Sequence, residues 1–332
     1  MNFKETKNVL VRLAQDTFRQ SFASGVGWLL LGLSTICIAV CLSVSVSGPK
    51  TMVASDGMAS FLPRFDKQAS DTKRLQSSGV SVADGSLRLA FGAIRVPIAR
   101  DIRSAVHFLQ LILAAGVADT LGLLLTLIWT AGFLPGFLAP QAAAVLLAKP
   151  VPRWGLLIGK YIGVLLFVLA HAAYFVGGTW LALALRTGVW DTSYLLCIPL
   201  LLVHFAIFFS VSLLLAVCFR STVVCVFGSI GFWLLCWAVN FGRHAVVAAD
   251  EVAAGGSFSP AVVRAANISY WLLPKPVDLG QVVYHALGAE VFFRPTIEHG
   301  PAISLSLSVA TSLAFTVYIL FAASQQFAQT DY

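Results

Sequence analysis

The chain is predicted to be an all-α integral membrane protein: six transmembrane helices, an N-terminal amphipathic interfacial helix and two long extracytoplasmic loops. Three observations predict it. The 332 residues are 58% hydrophobic and only 11% charged, too apolar and too poor in charge for a water-soluble domain. Six nearly charge-free runs, at about 21–46, 105–134, 157–185, 192–219, 221–242 and 302–324, each supply the ~20 helical residues that cross a ~30 Å hydrocarbon core. Lipid offers the backbone no hydrogen-bonding partner, so spanning runs of this kind must be helices.

Residues 1–20 carry Lys4, Lys7, Arg12 and Arg19 beside Glu5 and Asp16. The charges are too spread, and the apolar run that follows is too long, for a signal peptide. Phe3, Leu10, Leu13, Ala14, Thr17 and Ser21 fall near one helical face. That spacing predicts an amphipathic helix in the headgroup plane, its basic side chains meeting anionic lipid; the plainer alternative is a frayed tail. Residues 21–332 then form one membrane domain, and no soluble catalytic domain is expected at either end.

The first span leads into a polar stretch, Ser47 to Ser104, rich in Ser, Gly and Asp, with Pro49 and Pro63 near its start. The links at Arg186 to Asp191 and around Arg220 are short, as in antiparallel helical hairpins. A second long insert runs from Arg243 to Pro301. Pro260 to Asn267 and Val277 to Leu287 read as short helices there, with Pro274 and Pro276 breaking the chain between them. No repeat stands out.

Charge sets the expected orientation. With the N-terminus in the cytoplasm, the inner segments (1–20, about 135–160, and Arg220) carry eight basic residues and two acids, and the outer ones fourteen basic residues and eleven acids over more than twice the length. Long loops weigh little in this rule, although Arg95, Arg100 and Arg103 before the second span argue the other way. Both termini are expected in the cytoplasm. The net charge of +7 comes with no dense basic run, so nucleic acid is not an expected partner; membrane lipid is.

Cys37, Cys41, Cys197, Cys218, Cys225 and Cys236 all lie in apolar runs, so no disulfide framework is expected in the loops. Cys37 and Cys41 share a helical face, but cysteine serves there as a small apolar packing residue, and no metal site is expected. Asp119 sits near the middle of the second span, where an acid is costly unless neutralised, paired or facing a cavity. It reads either as a substrate-route or gating residue or as a protonated acid bonded within the bundle. His171 and His204, in the third and fourth spans, are its candidate partners. Asn240 and Arg243 are expected at the membrane interface. No catalytic residues are expected: paired carboxylates, a Ser/His/Asp order and H-E-x-x-H are all absent.

The most informative segment joins the second and third spans. Thr130 to Gln141 is punctuated by Gly and Pro, Ala142 to Ala148 is predicted to be a short helix, and Lys149-Pro150-Val151-Pro152-Arg153 makes a stiff basic turn, because each proline fixes φ and removes a donor. Trp154 is a plausible interface anchor. Gly155 to Lys160 is no phosphate loop, having three residues between its glycines rather than four and Tyr161 after the lysine. Gly155, Gly159 and Gly163 instead recur every four residues, a stripe that lets a neighbouring helix approach closely.

Leu146 to Arg153 (L-L-A-K-P-V-P-R) and Leu156 to Gly163 (L-L-I-G-K-Y-I-G) resemble the second-to-third-span region of ABC type-2 exporter permeases, particularly the branch with the membrane subunit of the nitrous-oxide-reductase maturation exporter. The matching residues are Leu146, Leu147, Lys149, Pro150, Arg153, Gly159, Lys160 and Gly163. The chain departs from that pattern at Ala139-Pro140-Gln141, where family members often carry acids. The resemblance implies that this region is a cytoplasmic coupling helix docking on a separate ABC ATPase subunit. It also implies a second permease subunit (identical or different), ATP and Mg bound by the partner and not by this chain, and a place in the bacterial cytoplasmic membrane. Two other readings stay open: a membrane-embedded scaffold or assembly protein acting through its outer loops, and an intramembrane enzyme using Asp119 and a histidine.

Overall fold

The computed structural model describes Arg12 and residues 15–23, 25–47, 85–89, 94–98, 102–138, 152–252, 258–287 and 305–329. Helix α1 covers residues 15–23 and is followed by α2 (Gly25–Leu42). Three short strands come next, β1 (Ser45–Ser47), β2 (Gly85–Leu89) and β3 (Ile94–Ile98). The second span, α3, covers 102–137. Ile102–Leu111 is α-helical, Ile112–Gly122 is π-helical, Leu123–Thr130 is α-helical again, and a short turn of helix, Phe133–Phe137, ends it. The remaining helices are α4 (Arg153–Thr187), α5 (Cys197–Phe219, entered through a 3₁₀ turn at Thr192–Leu196), α6 (Thr222–Val252), α7 (Pro260–Leu272), α8 (Pro276–Ala286) and α9 (Leu305–Gln329).

Six helices are long and apolar enough to cross a membrane: Gly25–Leu42, Ala105–Phe137, Arg153–Thr187, Thr192–Phe219, Thr222–Val247 and Ser306–Gln329. The chain is therefore a multi-pass helical membrane protein, as the apolar runs predicted. The fifth span runs beyond the predicted end at 242, which changes the setting of Asn240. The two short helices predicted between the fifth and sixth spans are α7 and α8. Beyond the membrane helices, β1, β2 and β3 form an antiparallel sheet in that order, with Ser45 opposite Arg88 and Leu87 opposite Val96. Sequence reading took this stretch only as polar loop, because five-residue strands are hard to see among Ser, Gly and Asp.

The core lies around α5, where 72% of the most apolar window is buried against 22% for α2. Helix α5 packs on α9, α6, α4, α3 and α8. Phe205, Ile207, Phe208, Phe209 and Leu213 of α5 join Leu156, Leu157 and Val164 of α4 in one apolar cluster. Apolar burial does not drive helices together within lipid, so close packing and polar contacts hold the bundle. Tyr161 donates to the Ala206 carbonyl at 2.7 Å and stacks on Phe209. A Cβ on Gly178 of α4 would run into Ile38 of α2, so the glycine sets the closeness of these two helices.

Turns follow local chemistry. Gly188 ends α4 at φ +72°, the left-handed cap that glycine tolerates best. Arg220 turns the chain from α5 to α6 at φ +51°. Asp191 caps the 3₁₀ turn by accepting from the Ser193 N–H at 3.1 Å. The strand β1, the 3₁₀ turn and the α7–α8 hairpin share one end of the bundle. Residues 15–23, the end of α3, the start of α4 and the C-terminus of α9 share the other.

Candidate functional site

Two buried polar centres lie against helix α8. Pro276 is its first residue, a position that needs no N–H and favours the proline φ. Leu279, Val283 and Leu287 follow at four-residue intervals and are all buried, so one face of α8 wedges between the spans.

The first centre is Asp278, in the first turn of α8 and fully buried. Its Oδ1 accepts from His244 Nε2 at 2.7 Å and Asn240 Nδ2 at 3.1 Å. Its Oδ2 accepts from the Tyr270 hydroxyl at 2.5 Å and the Ser308 hydroxyl at 2.9 Å. Four donors fill the acceptor capacity of the carboxylate. Asn240 Oδ1 in turn accepts from the backbone N–H of Val277 at 2.9 Å and of Asp278 at 3.2 Å. A side chain of the fifth span therefore caps the hairpin helix, satisfying two N–H groups that any helix start leaves open.

Lys275 completes this clasp. It is 1% exposed, and its ammonium donates to Thr311 Oγ1 at 2.8 Å and to the Leu273 carbonyl at 3.3 Å. It also lies 4.7 Å from the ring centre of Tyr270 and 5.2 Å from that of Trp271. Arg243 lies over Tyr270 at 4.4 Å and donates to Asn267 at 3.3 Å. Burial by itself would raise the Asp278 carboxyl. Hydrogen bonds from His244, Tyr270 and Asn240 outweigh it and hold the group below the ordinary carboxylate range. Burial, then the bond to Asp278, pushes the Tyr270 phenol up to about 12. Burial lowers the Lys275 ammonium, against the pull of Asp278.

The second centre joins Asp119 of α3 to His204 of α5, Oδ1 to Nδ1 at 2.5 Å, with the residues 7% and 3% exposed. Asp119 lies in the π-helical stretch. Such stretches are rare, occur mostly as single turns and gather at functional sites; this one spans eleven residues. The Nε2 of His204 is enclosed and has no hydrogen-bond partner among the described residues. On the carboxylate's other side lies Gly280 of α8, where an added Cβ would stand 3.6 Å from Oδ2. Residues two apart on α8 thus meet both centres.

The predicted site residues divide accordingly. His204, not His171, is the partner of Asp119; His171 reaches Ser34 of α2 at 3.3 Å. Asn240, expected at the interface, is 1% exposed within the protein, at the heart of the clasp. Lys160 is turned inward, 1% exposed, donating to Gln20 at 3.0 Å and lying 3.6 Å from Asp16. The rings of Phe133 and Phe137 lie 6.0 and 5.9 Å from its ammonium. Arg153 donates to the Ala328 carbonyl at 3.2 Å, at the C-terminal end of α9, where a cation suits the helix dipole. Gly159 and Gly163 are buried and Gly155 is half-buried; Trp154 is exposed. Leu146, Leu147, Lys149 and Pro150, with the predicted short helix Ala142 to Ala148, lie outside the described residues.

Sequence reasoning missed Asp278, Tyr270, His244 and Lys275. A signal was present: Ser308, Thr311 and Ser312 form a polar face at i, i+3 and i+4 in the last apolar run, facing something that needs hydrogen bonds. Among the described residues no cluster of three or more His, Cys, Asp or Glu could hold a metal ion. No protein-family model matches the chain, and no curated protein matches it.

Proposed function

We propose that the chain is the membrane-spanning permease subunit of an ATP-binding-cassette exporter in the bacterial cytoplasmic membrane, coupling ATP hydrolysis by a separate ATPase subunit to transport. The observation that carries the reading is the K-P-V-P-R turn followed by L-L-I-G-K-Y-I-G between the second and third spans. Its described flanks supply mechanical support. Arg153 ties the start of α4 to the end of α9, and Lys160 ties α4 to α1 and lies against the rings of α3. Force applied by a cytoplasmic ATPase at residues 139–151 would pass directly into α3 and α4 and, through these two cations, into α1 and α9. The positive-inside bias supports a cytoplasmic place for that end, both termini and Arg220. A second permease subunit, identical or different, would complete the transport path, and the ATP and Mg would sit in the partner.

The test is association. Lys149→Glu/Arg153→Glu puts like charge against an ATPase's acids, a juxtaposition that costs several kcal/mol at an interface. Co-purification with an ATPase encoded nearby is expected for wild type and lost for the double variant, with insertion unchanged. Equal association of the two removes this turn from the coupling role. The β1–β3 sheet and the α7–α8 hairpin favour a second reading, a membrane-embedded scaffold binding a partner at its outer end. ATP-independent capture of a partner through residues 47–104 or 243–301 would support it.

A further inference from the structure

We infer that Asp119 and His204 form a proton-binding site inside the bundle, covered on one side by helix α8. The inference goes beyond the permease reading and does not depend on it. Three independent features meet at the site. A carboxylate and an imidazole, both buried, are paired at 2.5 Å. The imidazole's second nitrogen is enclosed with no partner among the described residues. The backbone that presents Asp119 is π-helical, which costs helix regularity and persists where a side chain must be aimed.

The charge balance defines the ligand. With one proton on Nδ1, donated to Oδ1, the pair carries one negative charge. A second proton, transferred from hydronium onto Nε2, makes an imidazolium beside a carboxylate and cancels that charge; one O–H bond breaks as the N–H forms, leaving water. A lone negative charge is costly within a low-dielectric bundle. Among the described residues no Lys or Arg forms an ion pair with Asp119 that would supply a counter-charge instead. Among the described residues, Cys197 at the start of α5 and Tyr284 of α8 feel its charge. Gly280 of α8 faces Oδ2, and an added Cβ would stand 3.6 Å from it. Loosening the clasp at Asp278, two residues away, would admit water and let the proton leave.

The experiment uses the purified full chain in lipid nanodiscs. Infrared difference spectra between mildly acidic and mildly alkaline buffer are recorded for wild type, Asp119→Asn and His204→Gln. Wild type is expected to show carboxylate and imidazole bands that are lost together in both variants, since either residue alone is no longer the pair. Persistence of all wild-type bands in Asp119→Asn overturns the inference. Should either variant fail to fold, the conservative Asp119→Glu serves instead: its carboxylate bands must move from the wild-type positions, and bands identical to wild type overturn the inference. Asn240→Ala, which unclasps α8 without touching the pair, is expected to speed deuterium exchange of these bands by at least about tenfold. Unchanged exchange overturns the role of α8 as the cover.

Discussion

Replacing Asn240 by Ala removes one side chain from the fifth span, but the structure makes it a test of the whole hairpin. Three bonds go: Nδ2 to Asp278 Oδ1 at 3.1 Å, and the N–H groups of Val277 and Asp278 to Oδ1 at 2.9 and 3.2 Å. Interhelical hydrogen bonds in membrane proteins average about 0.6 kcal/mol each, so the bonds alone amount to about 2 kcal/mol. The two helix-start N–H groups are also left unpaired, and an orphaned buried donor costs ~1–3 kcal/mol. Counting each orphaned donor in place of its bond, and about 0.6 kcal/mol for the Nδ2 bond, the expected loss is about 3–7 kcal/mol, large against the ~5–15 kcal/mol of a typical fold. Equilibrium unfolding in bicelles measures it, with protease cleavage in the α7–α8 turn as the local readout. Ser308→Ala, which removes one donor of four to Asp278, should cost about 1 kcal/mol or less. An Asn240→Ala protein within about 0.5 kcal/mol of wild type, the range of an ordinary surface change, would refute the clasp.

The same network gives a pH dependence. Asp278 is held below its unfolded value near about 3.9, so its contribution is full above that pH and is lost as pH falls through the lower folded value; acid unfolding profiles of wild type should show this slope and Asp278→Asn should lack it. Tyr270 is raised to about 12, so its contribution is full below the unfolded value near about 10 and is lost as pH climbs through about 12; Tyr270→Phe should flatten that alkaline limb. Gly178→Ala should cost about 1–3 kcal/mol by pushing α2 off α4, and Ile38→Ala in the same chain should recover most of it, which a double-mutant cycle reads directly. Asp119→Leu should disturb expression or growth linked to transport more than Asp119→Asn, because the amide keeps a bond to His204; equal behaviour to wild type in both would make the residue incidental. Cysteine labelling at Ser70 in a cysteine-free background should occur from outside the cell, and labelling only from the cytoplasmic side would reverse the proposed topology.

Most of the membrane architecture was legible in the sequence because lipid leaves an apolar run of sufficient length one backbone solution. The helices α7 and α8 were legible too, since Pro274 and Pro276 mark the turn between them. The partners of the polar residues were not. Gly242, Arg243 and His244 follow Asn240 as if the helix were ending, yet α6 runs on to Val252 and carries all of them in helix. What recruits Asn240 is the start of α8, a contact across 37 residues that no local pattern reports. The choice of His204 over His171 was likewise set by tertiary packing, since both lie on long apolar helices. The π-helical stretch in α3 has no sequence mark, because Ile112 to Gly122 would suit an α-helix equally well. The short strands β2 and β3 were lost for a similar reason: five residues of alternation carry little signal.

The most direct measurement of the proposed function is the ATP turnover of a Walker-type ATPase encoded beside this gene, reconstituted in liposomes with and without the chain. The account predicts a stable complex whose turnover changes when the chain is present, with the change abolished by Lys149→Glu/Arg153→Glu while the protein stays inserted. Turnover unaffected by the chain, with no complex formed, would contradict the permease reading and leave the outer-end scaffold as the better description.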